Sequence, residues 1–222
     1  MANLADTAAH KPALRGVQHQ WAAVVAACAG AWLIATAPNL ESRIAVVIYG
    51  ASLVLLLVIS AVYHRFTWPH STRMWLRRAD HASIFLLIGG TYTPVALLCL
   101  DPPTNWNLLT LVWSGAAVGI LVSLFWPMAP KVVSAVIALA VGWTIVPYFS
   151  RIQRNLTDVE LTLIVIGGLA YTVGALVYAL KRPNPWPRTY GYHEIFHTLT
   201  LVGAGLHLIA VVSIVRSQAP VL

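Results

Sequence analysis

The chain has 222 residues, of which 59% are hydrophobic and 9% are charged, whereas soluble domains carry roughly 25% charged residues. A mean hydropathy of +0.74 over the whole length excludes a large soluble domain and indicates a membrane protein. The net charge of +7 does not indicate nucleic-acid binding, because the basic residues lie between apolar stretches, where they set membrane orientation.

Runs of about 20 apolar residues predict membrane-spanning helices. Seven are expected, at residues 20–38, 42–64, 80–100, 107–127, 131–150, 160–181 and 192–215. Pro94 and Pro147 are expected to kink the third and fifth helices. The predicted fold is an all-α integral membrane protein, in which residues 17–216 form a single seven-helix transmembrane domain. Short polar tails are expected at residues 1–16 and 217–222.

The distribution of basic residues predicts the orientation of the bundle. Ten of the 14 Lys and Arg residues lie on the same side as the N-terminus. The other four are Arg43, Arg151, Arg154 and Arg216. The positive-inside rule then places the N-terminus in the cytoplasm, and an odd number of spans places the C-terminus outside.

Ionisable residues inside membrane spans are costly and therefore indicate function. Most of those in this chain share one depth, at predicted helix ends on the cytoplasmic side. They are His64, Asp80 and His81, and the group of His193, Glu194 and His197, with the polar Ser60 one helical turn before His64. Three separate regions of the sequence thus converge at one end of the bundle.

The spacing of these residues predicts a metal site. His193 and His197 are four residues apart and share one helix face, so both imidazoles can reach one ion. His64 adds a third nitrogen, and three protein ligands plus water are typical of catalytic zinc. Asp80 is expected to hold the water or to orient a histidine. Intramembrane histidines also bond backbone groups or line cavities, which is the alternative for the pair.

The other histidines are expected to lie outside this site. His207 is about 15 Å along the helix from His197 and is predicted to pack or to hydrogen-bond. His70 is expected in a loop, as a backup ligand. His81 points about 100° away from Asp80 around the helix axis and is predicted to have an interfacial role.

Three further ionisable residues are not assigned to the metal site. His10 and His19 are interpreted as tail residues. Glu194 points away from the paired histidines, and contact with solvent is predicted for it.

The same residues carry a family resemblance. The stretch from Ser60 to His64, Asp80-His81 with the following Gly-Thr-Tyr-Thr-Pro, and the stretch from His193 to His197 resemble the haemolysin III branch of the progestin and adipoQ receptor superfamily. The resemblance covers the second to the seventh helix. It implies seven spans with a cytoplasmic N-terminus.

In this superfamily, adiponectin receptors bind zinc through one histidine of the second span and two of the seventh. The resemblance therefore implies Zn²⁺ bound by His64, His193 and His197. It also implies that Asp80 lies near the zinc-bound water. Ser60 corresponds to the serine of the family's S-x-x-x-H motif. The related alkaline ceramidases hydrolyse a lipid amide, and bacterial members are linked to membrane-fluidity homeostasis. The chain lacks a long N-terminal domain, so hormone binding is not implied.

The leading functional hypothesis is a zinc-dependent hydrolase acting on a lipid amide or ester. Asp80 would serve as general base, and Ser60 would donate a hydrogen bond to the oxyanion. The expected partner is a fatty-acyl or ceramide-like membrane lipid in an intramembrane cavity. The short tail and compact loops are typical of a bacterial protein, for which a multi-pass position in the inner (plasma) membrane is expected.

Two alternatives remain open at this point. The first is a non-catalytic membrane sensor or receptor in which zinc is structural. The second is a pore-forming haemolysin or transporter, ranked last because the membrane middle carries almost no ionisable group apart from His207. The sequence leaves the substrate, the oligomeric state and the physiological signal open.

Overall fold

The computed structural model describes residues 12–219. Within this part of the chain, seven helices are long and apolar enough to cross a membrane. They are Val17–Thr36, Leu40–Arg65, His70–Cys99, Thr104–Phe125, Lys131–Asn155, Asp158–Leu180 and Tyr192–Ser217, here called the first to the seventh span. The predicted all-α, seven-helix membrane bundle is thereby confirmed. His10 and most of the two predicted tails lie outside the described residues.

The third span begins at His70 rather than at residue 80, so the long loop predicted after the second span is wrong. Pro69 occupies the N-cap position, and the helix then continues without a break to Cys99, passing through Pro94. An apolar window detects the part of a helix that lies in lipid, whereas the polar first turns of the helix extend beyond it.

The fifth span is interrupted, as its proline suggested, but the interruption begins before the proline. Regular helix covers Lys131–Gly142, and short helical turns continue from Val146 to Asn155. Proline has no backbone N–H, and its ring clashes with the carbonyl four residues earlier. The Tyr92 hydroxyl compensates, because it donates to the Gly142 carbonyl at 2.7 Å and accepts from the Ile145 N–H at 3.1 Å.

The spans pack mainly in chain order, and the seventh span also contacts the first and the third. Glycines permit two of the close approaches. A Cβ on Gly90 would lie 2.0 Å from the Ser52 hydroxyl, and one on Gly119 would lie 2.2 Å from the Phe85 ring. Gly168 and Gly205 have no atom of another element within 4 Å of such a Cβ, so they do not serve such an approach.

One end of the bundle holds the predicted chemistry, and we call it the histidine end. The first, third, fifth and seventh spans begin there, and the second, fourth and sixth end there. Two contacts tie these ends together. Arg78 donates to the Leu124 carbonyl at 2.9 Å, and Lys131 donates to the Tyr192 hydroxyl at 2.9 Å.

Candidate metal centre

Three histidine rings converge at the histidine end. His64 lies in the last turn of the second span, and His193 and His197 lie in the first two turns of the seventh. The Nε2 atom of His193 is 3.3 Å from that of His64 and 2.8 Å from that of His197. The ligand atoms of all three lie within 4.8 Å of one another. The structure therefore brings together the three residues that the sequence proposed as metal ligands.

This donor set fits a zinc ion. At zinc–nitrogen distances of about 2.0–2.1 Å, tetrahedral ligands lie about 3.3–3.4 Å apart. The His64–His193 separation already matches, and the His193–His197 separation needs to open by about 0.5 Å. A neutral imidazole offers one donor and one acceptor nitrogen, so three Nε2 atoms facing one point are best satisfied by a cation between them. The buried three-histidine group can thus hold a metal ion.

His64 is held in place by the chain that precedes the first span. Gly16 adopts a φ of +77°, a left-handed conformation that favours glycine. A Cβ at this position would lie 2.9 Å from the Cβ of His64. The start of the first helix therefore rests directly on the second-span ligand, with no room for a larger residue.

Glu194 is buried, with 2% of its side chain exposed, so the predicted solvent contact is wrong. One carboxylate oxygen accepts a hydrogen bond from the Gly191 N–H at 2.8 Å, which is the glutamate half of a capping box at the start of the seventh span. The other oxygen pairs with Arg15. Sequence analysis missed this pair because its members are 179 residues apart, although the Glu194 position, three residues after Gly191, fits a cap.

His19 belongs to the site and not to a tail, which corrects the sequence interpretation. It lies in the first span, is 2% exposed, and its ring centroid is 4.1 Å from that of His197. Next to it, Gln18 donates to the Thr198 hydroxyl at 2.9 Å. The apolar run that predicted the first span begins after His19, so no sequence signal separated this buried position from the preceding tail.

Asp80 lies beside the three histidines. Its Oδ2 atom is 3.8 Å from His64 Nε2 and 3.6 Å from His81 Nδ1. Ser60, one helical turn before His64, is 4% exposed and faces the Asp80 carboxylate. The three histidines, Asp80 and Ser60 therefore share one small buried space, and Asp80 stands next to the metal position rather than among its nearest ligands.

His81 also faces this space, so the prediction that it lies outside the site is wrong. Its Nδ1 atom donates to the Arg77 carbonyl at 2.9 Å, one turn earlier in the same helix. The Nε2 atom is then the acceptor of the neutral ring, and the Tyr178 hydroxyl donates to it at 3.2 Å. His70, expected as a backup ligand, is instead the first, exposed residue of the third span and lies outside the three-histidine group.

An apolar cavity of about 230 Å³ adjoins the metal position. Six residues border both this cavity and the small space around the histidines. They are Leu56, His81, Ile84, Tyr178, Phe196 and Thr200. At its other end the cavity reaches Trp143 and His207. His207 bonds the Ile164 carbonyl at 3.1 Å, which confirms its predicted hydrogen-bonding role.

Comparison with known proteins shows the family of the chain. The family model described as Haemolysin-III related matches residues 7–208. Hemolysin-3 of Bacillus cereus is 31% identical over 176 residues, which cover 79% of this chain and 77% of that protein. The heptahelical transmembrane protein ADIPOR2 of Oryza sativa subsp. japonica is 33% identical over 177 residues, covering 70% and 75%. The monocyte to macrophage differentiation factor of Homo sapiens is 25% identical over 197 residues, covering 87% and 79%. The chain belongs to the haemolysin III family, within the progestin and adipoQ receptor superfamily.

Proposed function

We propose that this protein is a zinc-dependent hydrolase acting on an amide or ester bond of a membrane lipid. One observation carries the proposal: a buried three-histidine group, with a carboxylate 3.8 Å from one of its nitrogens, adjoins an apolar cavity of about 230 Å³. A metal, a general base and space for an acyl chain are the three parts that such a reaction needs.

When bound, a zinc ion in such a site polarises a carbonyl group and makes water a better nucleophile. His64, His193 and His197 would hold it, leaving a fourth position free. Asp80 would position the attacking water and accept its proton at Oδ2. Ser60 is hydrogen-bonded to the Asp80 carboxylate and would fix its orientation. Its single O–H would serve a developing oxyanion only by turning away from that carboxylate.

The cavity suits a long apolar chain better than a soluble substrate. Its lining is mostly aliphatic and aromatic, with His81 near the metal position and His207 far from it. A fatty-acyl or ceramide-like lipid would place its tail there and its amide or ester carbonyl at the histidines. Fatty-acyl or ceramide-like lipids are therefore the expected substrate class.

The proposal places the protein in the plasma membrane of a bacterium, with the histidine end in the cytoplasm. Two observations support it: the hemolysin-3 relatives come from Bacillus species, and nine of the 13 Lys and Arg among residues 12–219 lie at the histidine end. Hydrolysis of membrane lipids from this side would serve the homeostasis of membrane fluidity.

A membrane sensor with a structural metal is the second candidate. One observation favours the sensor: Asp80 is so close to His64 that a rotation of its side chain would bring an oxygen to the metal as a fourth ligand. Four protein ligands close a zinc site and leave no position for water. The two candidates therefore differ in what Asp80 does.

The test compares three purified proteins: the parent chain, Asp80→Asn, and a double variant in which His193 and His197 are alanine. Zinc content and release of fatty acid from a panel of lipid amides and esters are measured for each. We expect close to one zinc in the first two and none in the third. Asp80→Asn should lose turnover by about 10²–10⁴-fold, the usual contribution of a general base.

His207→Ala is the matched control for the loss of a histidine, because His207 lies in the same span and is remote from the metal position. It should keep its zinc. Full hydrolytic activity in Asp80→Asn would exclude the role given to Asp80. Zinc-bound parent protein that hydrolyses no lipid of the panel would favour the sensor.

A further inference from the structure

Lys131 occupies an unusual position at the histidine end. It is the first residue of the fifth span and is only partly exposed. Its ammonium group lies 4.2 Å from the ring centroid of Tyr178 and 4.6 Å from that of Tyr192, and it donates to the Tyr192 hydroxyl at 2.9 Å. Two aromatic rings therefore fix this cation in one place, where a surface lysine would be free to move.

A continuous series of contacts connects Lys131 to the metal position. Tyr178, under the lysine, donates to His81, and His81 lies 3.6 Å from the Asp80 carboxylate. Tyr178 and His81 also border both the apolar cavity and the space around the histidines. If a lipid places its tail in the cavity and its carbonyl at the histidines, its headgroup lies close to Lys131.

The charge around Lys131 is not neutralised by nearby carboxylates. Arg15 and Lys181 lie within electrostatic range of it, and Arg77 lies beside His81. In the part of the chain that the structure describes, the carboxylates at the histidine end are Glu194, which pairs with Arg15, and the enclosed Asp80. Within residues 12–219, no carboxylate comes within ion-pair distance of Lys131, Arg77 or Lys181. The unpaired positive charges of Lys131, Arg77 and Lys181 therefore attract an anion.

The surroundings indicate that the anion is carried by a lipid. Large apolar side chains are exposed at the same end, with Trp75 at 66% and Met128 at 65%. Arg77 contacts the Met128 sulfur at 3.3 Å, and Arg78 lies 4.7 Å from the Trp75 ring. Tryptophan and basic side chains arranged together are typical of the membrane–water interface, where phospholipid headgroups lie.

We propose that Lys131, with Lys181 in electrostatic range of it and Arg77 beside their neighbour His81, binds the phosphate of an anionic glycerophospholipid and presents that lipid to the metal centre. Lys131 has three N–H donors and gives one to Tyr192, so two remain for phosphate oxygens. Binding stands on this geometry alone, whereas the use of the lipid as substrate rests on the proposed hydrolase. The substrates would then be acidic membrane lipids rather than membrane lipids in general.

The experiment measures lipid retention by native mass spectrometry of protein from nanodiscs of mixed phosphatidylglycerol and phosphatidylcholine. The parent protein should retain phosphatidylglycerol preferentially, and Lys131→Gln should weaken that preference about fivefold, the effect of one basic residue at a membrane surface. Lys131→Arg should keep most of it. Arg154→Gln, which loses one charge at the opposite end, is the matched control and should behave as the parent.

Three results would overturn the proposal: equal retention of the two lipids by the parent, no difference between Lys131→Gln and Arg154→Gln, or displacement of the lipid by inorganic phosphate alone. Tyr192→Phe keeps the ring and the fold but removes the hydroxyl, so a smaller loss than in Lys131→Gln is expected.

Repeating the measurement on Asp80→Asn separates this proposal from the hydrolase. Lys131-dependent retention in that variant supports the lipid site even if no hydrolysis is ever found. Hydrolysis of phosphatidylglycerol at the parent rate by Lys131→Gln would refute the presentation of the lipid by Lys131 and leave the hydrolase in place.

Discussion

The buried ion pair between Arg15 and Glu194 makes an asymmetric prediction about stability. Glu194 has 2% of its side chain exposed, whereas Arg15 has 24%. Arg15→Met leaves a charged carboxylate in the interior without its partner, and breaking a buried pair in this way costs about 3–5 kcal/mol. Glu194→Gln leaves a cation that can reach solvent, and the glutamine oxygen can still accept the Gly191 N–H. Its cost should be about 1–2 kcal/mol, that of one hydrogen bond.

These energies convert into shifts of melting temperature whose ranges overlap only between about 6 and 8 °C. For a chain of 150–250 residues, each kcal/mol lowers Tm by about 2–4 °C. Arg15→Met should therefore lower Tm by about 6–20 °C, and Glu194→Gln by about 2–8 °C. The double variant should resemble Glu194→Gln, because the stranded charge is gone.

The assay is thermal unfolding of the purified protein in detergent, followed by tryptophan fluorescence, with zinc retention against a chelator as a second readout. Arg15→Met should also lose zinc faster, because Glu194 is adjacent to the ligand His193. Arg73→Gln, which removes an exposed charge at the same end, is the control and should leave Tm within about 1 °C. Equal effects of Arg15→Met and Arg73→Gln, or a larger effect of Glu194→Gln, would refute the reasoning.

Two further predictions concern the site and the orientation. His19→Ala removes the ring packed against His197 and should weaken zinc binding up to about tenfold in a chelator competition. His19→Phe keeps an aromatic ring there and should bind zinc nearly as the parent does. Equal loss in both variants would mean that ring packing is not what His19 contributes. A reporter fused after Leu222 should be extracytoplasmic, and a cytoplasmic signal would reverse the orientation derived from the basic residues.

Much of the fold could be predicted because lipid imposes simple rules on a chain. A span must satisfy its backbone internally and present an apolar surface, so runs of apolar residues reveal the number of helices. The break in the fifth span was only partly predictable. Pro147 predicted an interruption of the helix. The extent of that interruption depends on the Tyr92 hydroxyl of the third span, which hydrogen-bonds the freed backbone groups.

The sequence by itself determined which residues share the histidine end, and the helical spacing of His193 and His197 placed two nitrogens on one face. The neighbours of that site were decided only by tertiary structure. His19 lies 178 residues before His197, and Glu194 is paired across 179 residues, so no local pattern reports either contact. Burial of a polar side chain depends on a partner that another helix supplies, and a helix's own periodicity does not say which helix that is.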